Sequence, residues 1–196
     1  MINIQYYQSP CGPLVLASAG DRLCLCDWQD YPCAERNLRR LQRALKTKIQ
    51  EAPSDVLLRT MMELEEFFEG RRQTFDIPLL TVGTDFQKSV WQALLDIPYG
   101  ETRGYMQIAE RIGNRKGVRA VAQAIGANGI CILIPCHRVV GANGSLTGFA
   151  GGLEAKRKLL ETESQSFPCP DTGSRGGYSC PLGQSVFQDD GAFKKG

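Results

Sequence analysis

Over the first 28 positions apolar residues alternate with polar ones or come in short runs, and from about position 33 they recur at helical spacing. Residues 2–7 (INIQYY), 12–18 (GPLVLAS) and 22–28 (RLCLCDW) read as three strands of a β-meander, with Ala19, Gly20 and Asp21 turning the hairpin between the last two. In residues 33–48, Leu38, Leu41 and Leu45 fall at i, i+3 and i+7 among many Arg and Lys. That spacing predicts an amphipathic helix whose basic side is a solvated face. A second helix opens with Ser54 as N-cap and Asp55 in its first turn, carries Leu57, Met61, Leu64 and Phe68 on one face, and stops at Gly70. Residues 75–80 read as one more strand or as an extended linker.

The pattern changes at Thr81, Val82 and Gly83, which separate a first domain (1–81) from a second (82–164). Thr84 and Gln87 match a capping box, and Phe86, Val90, Trp91 and Leu94 form a helical stripe that ends before Pro98. Tyr105, Ile108, Ala109 and Ile112 precede Gly113; Val118, Val121, Ala122 and Ile125 repeat the spacing and precede Gly126. Helix, glycine turn, helix is the helix-turn-helix arrangement, although many helical hairpins bind nothing. With the second stripe inward, Arg119, Ala120, Gln123, Ala124 and Ala127 face outward. A major-groove reader would carry several Arg, Asn or Gln there, whereas alanines let a helix backbone lie close in a narrow minor groove. Residues 103–119 hold Arg103, Arg111, Arg115, Lys116 and Arg119 against one acid, Glu110, a local charge suited to phosphates. A plain solvated helix with filler alanines fits the same pattern.

The run Ile130, Cys131, Ile132, Leu133, Ile134 is short and β-branched, which predicts a buried strand that Pro135 stops. Beyond it, Asn143-Gly144 marks a turn, SLTGFAGG suits close approach of backbone to a ligand, and Leu153, Lys156, Arg157 and Leu160 define a last helix ending near Glu163. Residues 165–196 lose apolar periodicity and read as a flexible tail.

Composition changes little. The chain has 196 residues, 42% hydrophobic and 22% charged, with 23 basic against 21 acidic side chains and a net charge of +2. No apolar run would span a bilayer and the first residues lack a secretory pattern, so a cytoplasmic protein with reduced thiols is expected despite eight cysteines. Candidate chemistry lies at Cys136, followed by His137, the only histidine, and by Arg138 with its fixed charge. A thiol is a nucleophile as thiolate, and a neighbouring imidazole or cation makes one near neutral pH. A cysteine ending an apolar run is most often just a small core residue, so the Cys-His pair by itself does not establish catalysis.

PCHRVV after an apolar run, followed by GxNGxLTGxAGG and preceded by YxxIAxxIGxxxxxRAVxxAIxAN, resembles the O6-alkylguanine-DNA alkyltransferases, most closely the bacterial type, densely over about residues 84–163. The resemblance implies an α+β fold: an N-terminal α/β domain with a small antiparallel sheet, and a C-terminal helical domain with a winged helix-turn-helix-like motif that enters the minor groove of double-stranded DNA. It implies repair by direct reversal: the damaged base is flipped out, and the alkyl group of O6-alkylguanine, or of O4-alkylthymine, moves to Cys136 in a single turnover. By motif position, His137 deprotonates Cys136 through a water and Glu163 polarises that imidazole. Tyr105 rotates the target nucleotide and bonds the base, Arg119 fills the vacated stack, and Asn128 ties the recognition helix to the active-site segment. Ala120, Gln123, Ala127, Arg115 and Lys116 complete the DNA face. The pocket is formed by Val139, Phe149, Ala150 and Trp91, with the carbonyls of Cys136 and Val139 accepting from the guanine amino group. Phe149 stands where many relatives have Tyr, which predicts a less polar, roomier pocket. Some relatives bind zinc through histidines; here Cys11, Cys24, Cys26 and Cys33 have no ordinary zinc spacing, so neither metal nor cofactor is expected. A monomer is expected. The alternative is a non-catalytic binder of alkylated DNA that recruits other factors, but such proteins lack the cysteine of PCHR; a cysteine hydrolase would have no use for a minor-groove helix.

Overall fold

The computed structural model describes residues 1–165; the tail expected from 165 onward lies outside them, apart from Gln165, which closes the last helix. Strands β1 (Ile2–Ser9), β2 (Gly12–Ala19) and β3 (Arg22–Trp28) form the expected meander, paired antiparallel in sequence order. A fourth strand, β4 (Ile49–Glu51), was not legible in the sequence and joins the outer edge of β1 in parallel, so the small sheet is mixed, in the order β3-β2-β1-β4. Three residues are too few for alternation to show.

Alternation along β2 sends Val15 and Ala17 to one side of the sheet and Leu14 and Leu16 to the other. Helix α1 (Pro32–Leu45) covers the first side with Ala34 and Leu41. Helix α2 (Asp55–Phe68) covers the second with Val56, Leu57, Leu64 and Phe67. Ser54 stands at the N-cap position of α2, but its hydroxyl meets that of Ser18 at 2.8 Å instead of capping the helix. Residues 75–80 are the linker rather than a full strand, touching β3 only through a bridge between Leu23 and Leu79.

Helix α3 (Asp85–Leu95) begins with the predicted reciprocal cap, Gln87 N–H donating to Thr84 Oγ1 at 3.2 Å and Thr84 N–H to Gln87 Oε1 at 3.0 Å. Helices α4 (Tyr105–Arg111) and α5 (Val118–Gly126) form the helix-turn-helix, joined through a 3-10 turn at Arg115–Gly117. Two-residue strands β5 (Arg103–Gly104) and β6 (Val139–Val140) pair in parallel, and α6 (Gly152–Gln165) closes the domain. The second side of the sheet, α2 and the helices of the second domain share one continuous core from Leu14 to Leu159. Among the described residues no helix is long and apolar enough to cross a membrane.

The segment expected to be a buried strand is instead a buried turn. Ile130 bridges to Cys26 and Cys131 to Ile134, while Ile132 takes φ 73°, a left-handed conformation costly for a β-branched residue. Two anchors impose it. Asn128 donates to Ile134 O at 3.0 Å and accepts from Ile130 N–H at 2.9 Å, and the backbone of Cys26 accepts from Cys131 N–H at 2.7 Å while donating to Gly129 O at 2.8 Å. The run is apolar because it is enclosed, not because it is extended.

Candidate active site and DNA-facing surface

The anchored turn delivers Pro135 and then a 3-10 turn, Cys136–Arg138, whose three side chains are all buried. Cys136 is 6% exposed, and its Sγ lies 4.0 Å from that of Cys131. The S–H of Cys131 and the amide of Asn128, outweighing burial, pull the Cys136 thiol below its ordinary range; the same contact, with burial, pushes Cys131 well up. Of the two sulfurs, Cys136 is the one whose surroundings favour the thiolate.

His137 Nε2 lies 2.7 Å from Glu163 Oε1. A carboxylate only accepts, so Nε2 carries the proton and Nδ1 is left with a free lone pair, buried and without a hydrogen-bond partner. Burial holds the imidazole below its usual range despite the carboxylate, so the ring is neutral. Glu163 also accepts from Arg138 Nε and Nη2 at 2.9 to 3.1 Å and from Gly100 N–H at 3.0 Å. Burial alone would raise its carboxyl, but His137 and Arg138 hold it down at about 2. Arg138, read from sequence as a charge beside the thiol, spends that charge on Glu163 and donates to Ile97 O at 2.6 Å.

Lys156 was assigned only to a helical stripe, yet its Nζ donates to Val139 O at 2.6 Å and Thr147 O at 2.8 Å, tying the 141–150 loop to the site. Burial lowers its pKa to about 8. The inward face of α6 is Ala155, Lys156, Leu159 and Glu163; Leu153 and Arg157 of the predicted stripe are exposed. A lysine and a glutamate seven apart on one helix, facing the same way, were the available signal.

An open cleft of about 450 Å³ is lined by Tyr105, Ala122, Ile125, Gly126, Phe149 and Ala150, with Tyr31, Pro32, Cys33 and Arg36 of the first domain on its rim. Cys136 belongs to the core against which Tyr105, Phe149 and Ala150 pack. The Tyr105 hydroxyl meets Thr147 Oγ1 at 3.2 Å, and Phe149 sits edge-on to Trp28, centroids 5.0 Å apart. Gly151 is pressed against Trp28, where any side chain would collide with the indole. Val139 is fully buried; its carbonyl already takes Lys156, and that of Cys136 takes the Val139 N–H. Trp91 is not at this cleft: its indole donates to Ala124 O at 2.8 Å, between α3 and α5, and Arg40 lies over its ring.

On α5, Arg119, Ala120 and Gln123 are exposed. Ala124, expected outward, is buried against α3, and Ala127 is half-buried with its carbonyl held by Arg40 at 3.2 Å. The basic segment is less free than its sequence suggests: Arg103 pairs with Glu101, Arg111 with Asp96 and Arg115 with Glu110. Glu101 and Asp96 lie outside the window read for charge. Lys116 and Arg119 have no ion pair among the described residues. No group of three or more His, Cys, Asp and Glu among the described residues could hold a metal, and the single histidine is committed to Glu163.

A helix-turn-helix that shares its core with a buried thiol is the arrangement expected of one class, thiol-bearing proteins that act on DNA. Family models described as the ribonuclease-like domain and the DNA binding domain of 6-O-methylguanine DNA methyltransferase match residues 2–81 and 85–165, and the chain belongs to that family. The methylated-DNA--protein-cysteine methyltransferase of Mycobacterium tuberculosis (strain H37Rv) is 42% identical over 170 residues, 86% of this chain and 96% of the relative. The constitutive enzyme of that name from Bacillus subtilis is 41% identical over 173 residues, 84% of this chain and 98% of the relative. The crystal structure of Mycobacterium tuberculosis OGT in complex with DNA superposes with a TM-score of 0.74 at 40% identity, covering 85% of this chain and 96% of that one. The chain is thus a DNA repair enzyme that transfers the alkyl group of methylated DNA to a protein cysteine.

Proposed function

We propose that the acceptor is Cys136, and the observation that carries this is the neutral imidazole of His137, its Nε2 fixed by Glu163 and its Nδ1 unpartnered, on the residue that follows a thiol of lowered pKa. The Cys136 proton passes through a water to Nδ1, and the buried carboxylate stabilises the imidazolium. The thiolate attacks the alkyl carbon in line, the S–C bond forms as the C–O6 bond breaks, and the electron pair leaves on guanine. The Tyr105 hydroxyl, at the cleft wall, bonds the departing base. A thioether does not hydrolyse, so each molecule acts once. Cys136 reaches a base only outside the stack, which supports flipping of O6-alkylguanine, and of O4-alkylthymine, into the cleft. The exposed small face of α5 supports approach along the minor groove of double-stranded DNA, with Arg119 filling the gap and Lys116 on the phosphates. Asn128 acts by positioning the turn. One chain carries every group used, which supports a monomer, and six free thiols among the described cysteines support a reducing cytoplasm. Mass spectrometry of the protein after incubation with an alkylated duplex tests the proposal: one alkyl group on the Cys136 peptide is expected, and an unmodified Cys136 in folded, reduced protein overturns it.

Arg119→Ala is expected to slow transfer from duplex by about ten-fold or more while leaving transfer from the free alkylated base unchanged, because the finger compensates unstacking that a free base does not need. Equal loss on both substrates would sink that role. With no hydroxyl at Phe149, benzyl and ethyl adducts should react at rates comparable with methyl; a steep methyl preference in single-turnover assays contradicts a roomier pocket.

A further inference from the structure

Cys131 has no part in alkyl transfer beyond its contact with Cys136, yet it lies on the same anchored turn, five residues away, with its sulfur 4.0 Å from the acceptor's. Among the described residues no other thiol comes within hydrogen-bonding range of Cys136. On its other side, Cys131 Sγ is 3.9 Å from Oδ1 of Asp27, a buried carboxylate also held by Asn37 at 2.8 Å and by the N–H of Trp28 at 3.0 Å. A disulfide needs the sulfurs at about 2.05 Å, so closure asks for about 2 Å of relative movement, within reach of side-chain rotation on one turn.

We propose that Cys131 is a resolving thiol: a hydroperoxide entering the cleft is reduced at Cys136, and the resulting sulfenic acid is captured as a Cys131–Cys136 disulfide. In the first step the Cys136 thiolate displaces water from hydrogen peroxide, giving Cys136–SOH after one proton is taken up. In the second, the Cys131 sulfur attacks that sulfenic sulfur, its proton passes by way of Asp27 to the departing hydroxide, and water leaves. The sum is two thiols and one peroxide to one disulfide and two waters. The consequence is particular to a protein used once: further oxidation to the sulfinic acid would waste the acceptor irreversibly, whereas a disulfide is returned to two thiols by exchange with a cellular thiol. The proposal shares Cys136 with the transfer reading but does not need the DNA substrate.

The test treats the full chain with hydrogen peroxide, blocks remaining thiols with iodoacetamide, and maps the peptides. A Cys131–Cys136 link two hydrogens lighter than the reduced pair is expected, reversed by dithiothreitol. In Cys131→Ala and Cys131→Ser, Cys136 should gain two oxygens instead. Transfer activity recovered on reduction, relative to each untreated protein, should fall by roughly ten-fold. The proposal is overturned if wild-type Cys136 becomes sulfinic as fast as in the variants, or links to another cysteine of the chain. Peptide mapping of the wild type decides this even if a variant does not fold, and even if Cys136 proves not to be the alkyl acceptor.

Discussion

Cys136→Ser is expected to reduce alkyl transfer by at least about 10³-fold, while duplex binding stays within about two-fold of wild type. The reason is the difference between a thiol and a hydroxyl in one pocket. The contacts from Cys131 and Asn128 lower the pKa of a thiol that ionises readily, but the same contacts leave a serine hydroxyl protonated. His137, neutral and buried, is too weak a base to ionise it unaided. Binding is spared because Arg119, Ala120 and Gln123 on the exposed side of α5 are untouched by the substitution. Single-turnover transfer and titration of the same duplex check both halves. Residual transfer above a hundredth of wild type would mean that another group accepts the alkyl.

Glu163→Gln is expected to cost about 3–5 kcal/mol of stability at pH 7 and to slow transfer by roughly 10²-fold or more. The substitution keeps the shape but leaves the buried Arg138 guanidinium without its counter-charge, and it removes the acceptor that fixes Nε2–H and stabilises the imidazolium. The pH profile separates this from a packing effect. The carboxyl sits at about 2 in the fold against about 4.3 in an unfolded chain, so its contribution is complete above about pH 4.3 and is lost as pH falls toward 2, about 3 kcal/mol in all. His137 acts in the same direction: its folded pKa is lowered, so stability declines as pH falls below about 6.5, where the unfolded chain takes up a proton that the folded one refuses. Urea unfolding at pH 7, 5 and 3 should show a steep acid decline in wild type. In Glu163→Gln the part below about pH 4.3 should flatten; an unchanged slope would show that Glu163 is not the ionised group at the centre of this cluster.

Local pattern carried a large share of the architecture. The three meander strands and the Thr84–Gln87 cap depend on neighbours a few residues away, as does the paired spacing of α4 and α5, and all three are where the sequence puts them. Charge and burial were less legible. The five basic residues of 103–119 gave an excess that Glu101 and Asp96 partly cancel, because helix and turn geometry brings acids from outside the window. Trp91 read as an aromatic for the pocket, but whether an apolar helix position faces a cleft or a neighbouring helix is not encoded in its own spacing.

By itself the sequence determined that a thiol and the only imidazole stand side by side at the end of an enclosed apolar run, and that two short helices with a small-residue face precede them. It could not determine the shape of that run or the protonation of the pair. Only the tertiary structure made residues 130–134 a turn with Ile132 left-handed, because the hydrogen bonds that compensate such a conformation come from Asn128 and from Cys26 in another domain. Only the tertiary structure also brought His137, Arg138 and Gly100 to the one carboxylate of Glu163, and a buried group takes its charge from whichever partners desolvation forces upon it, however far along the chain they lie.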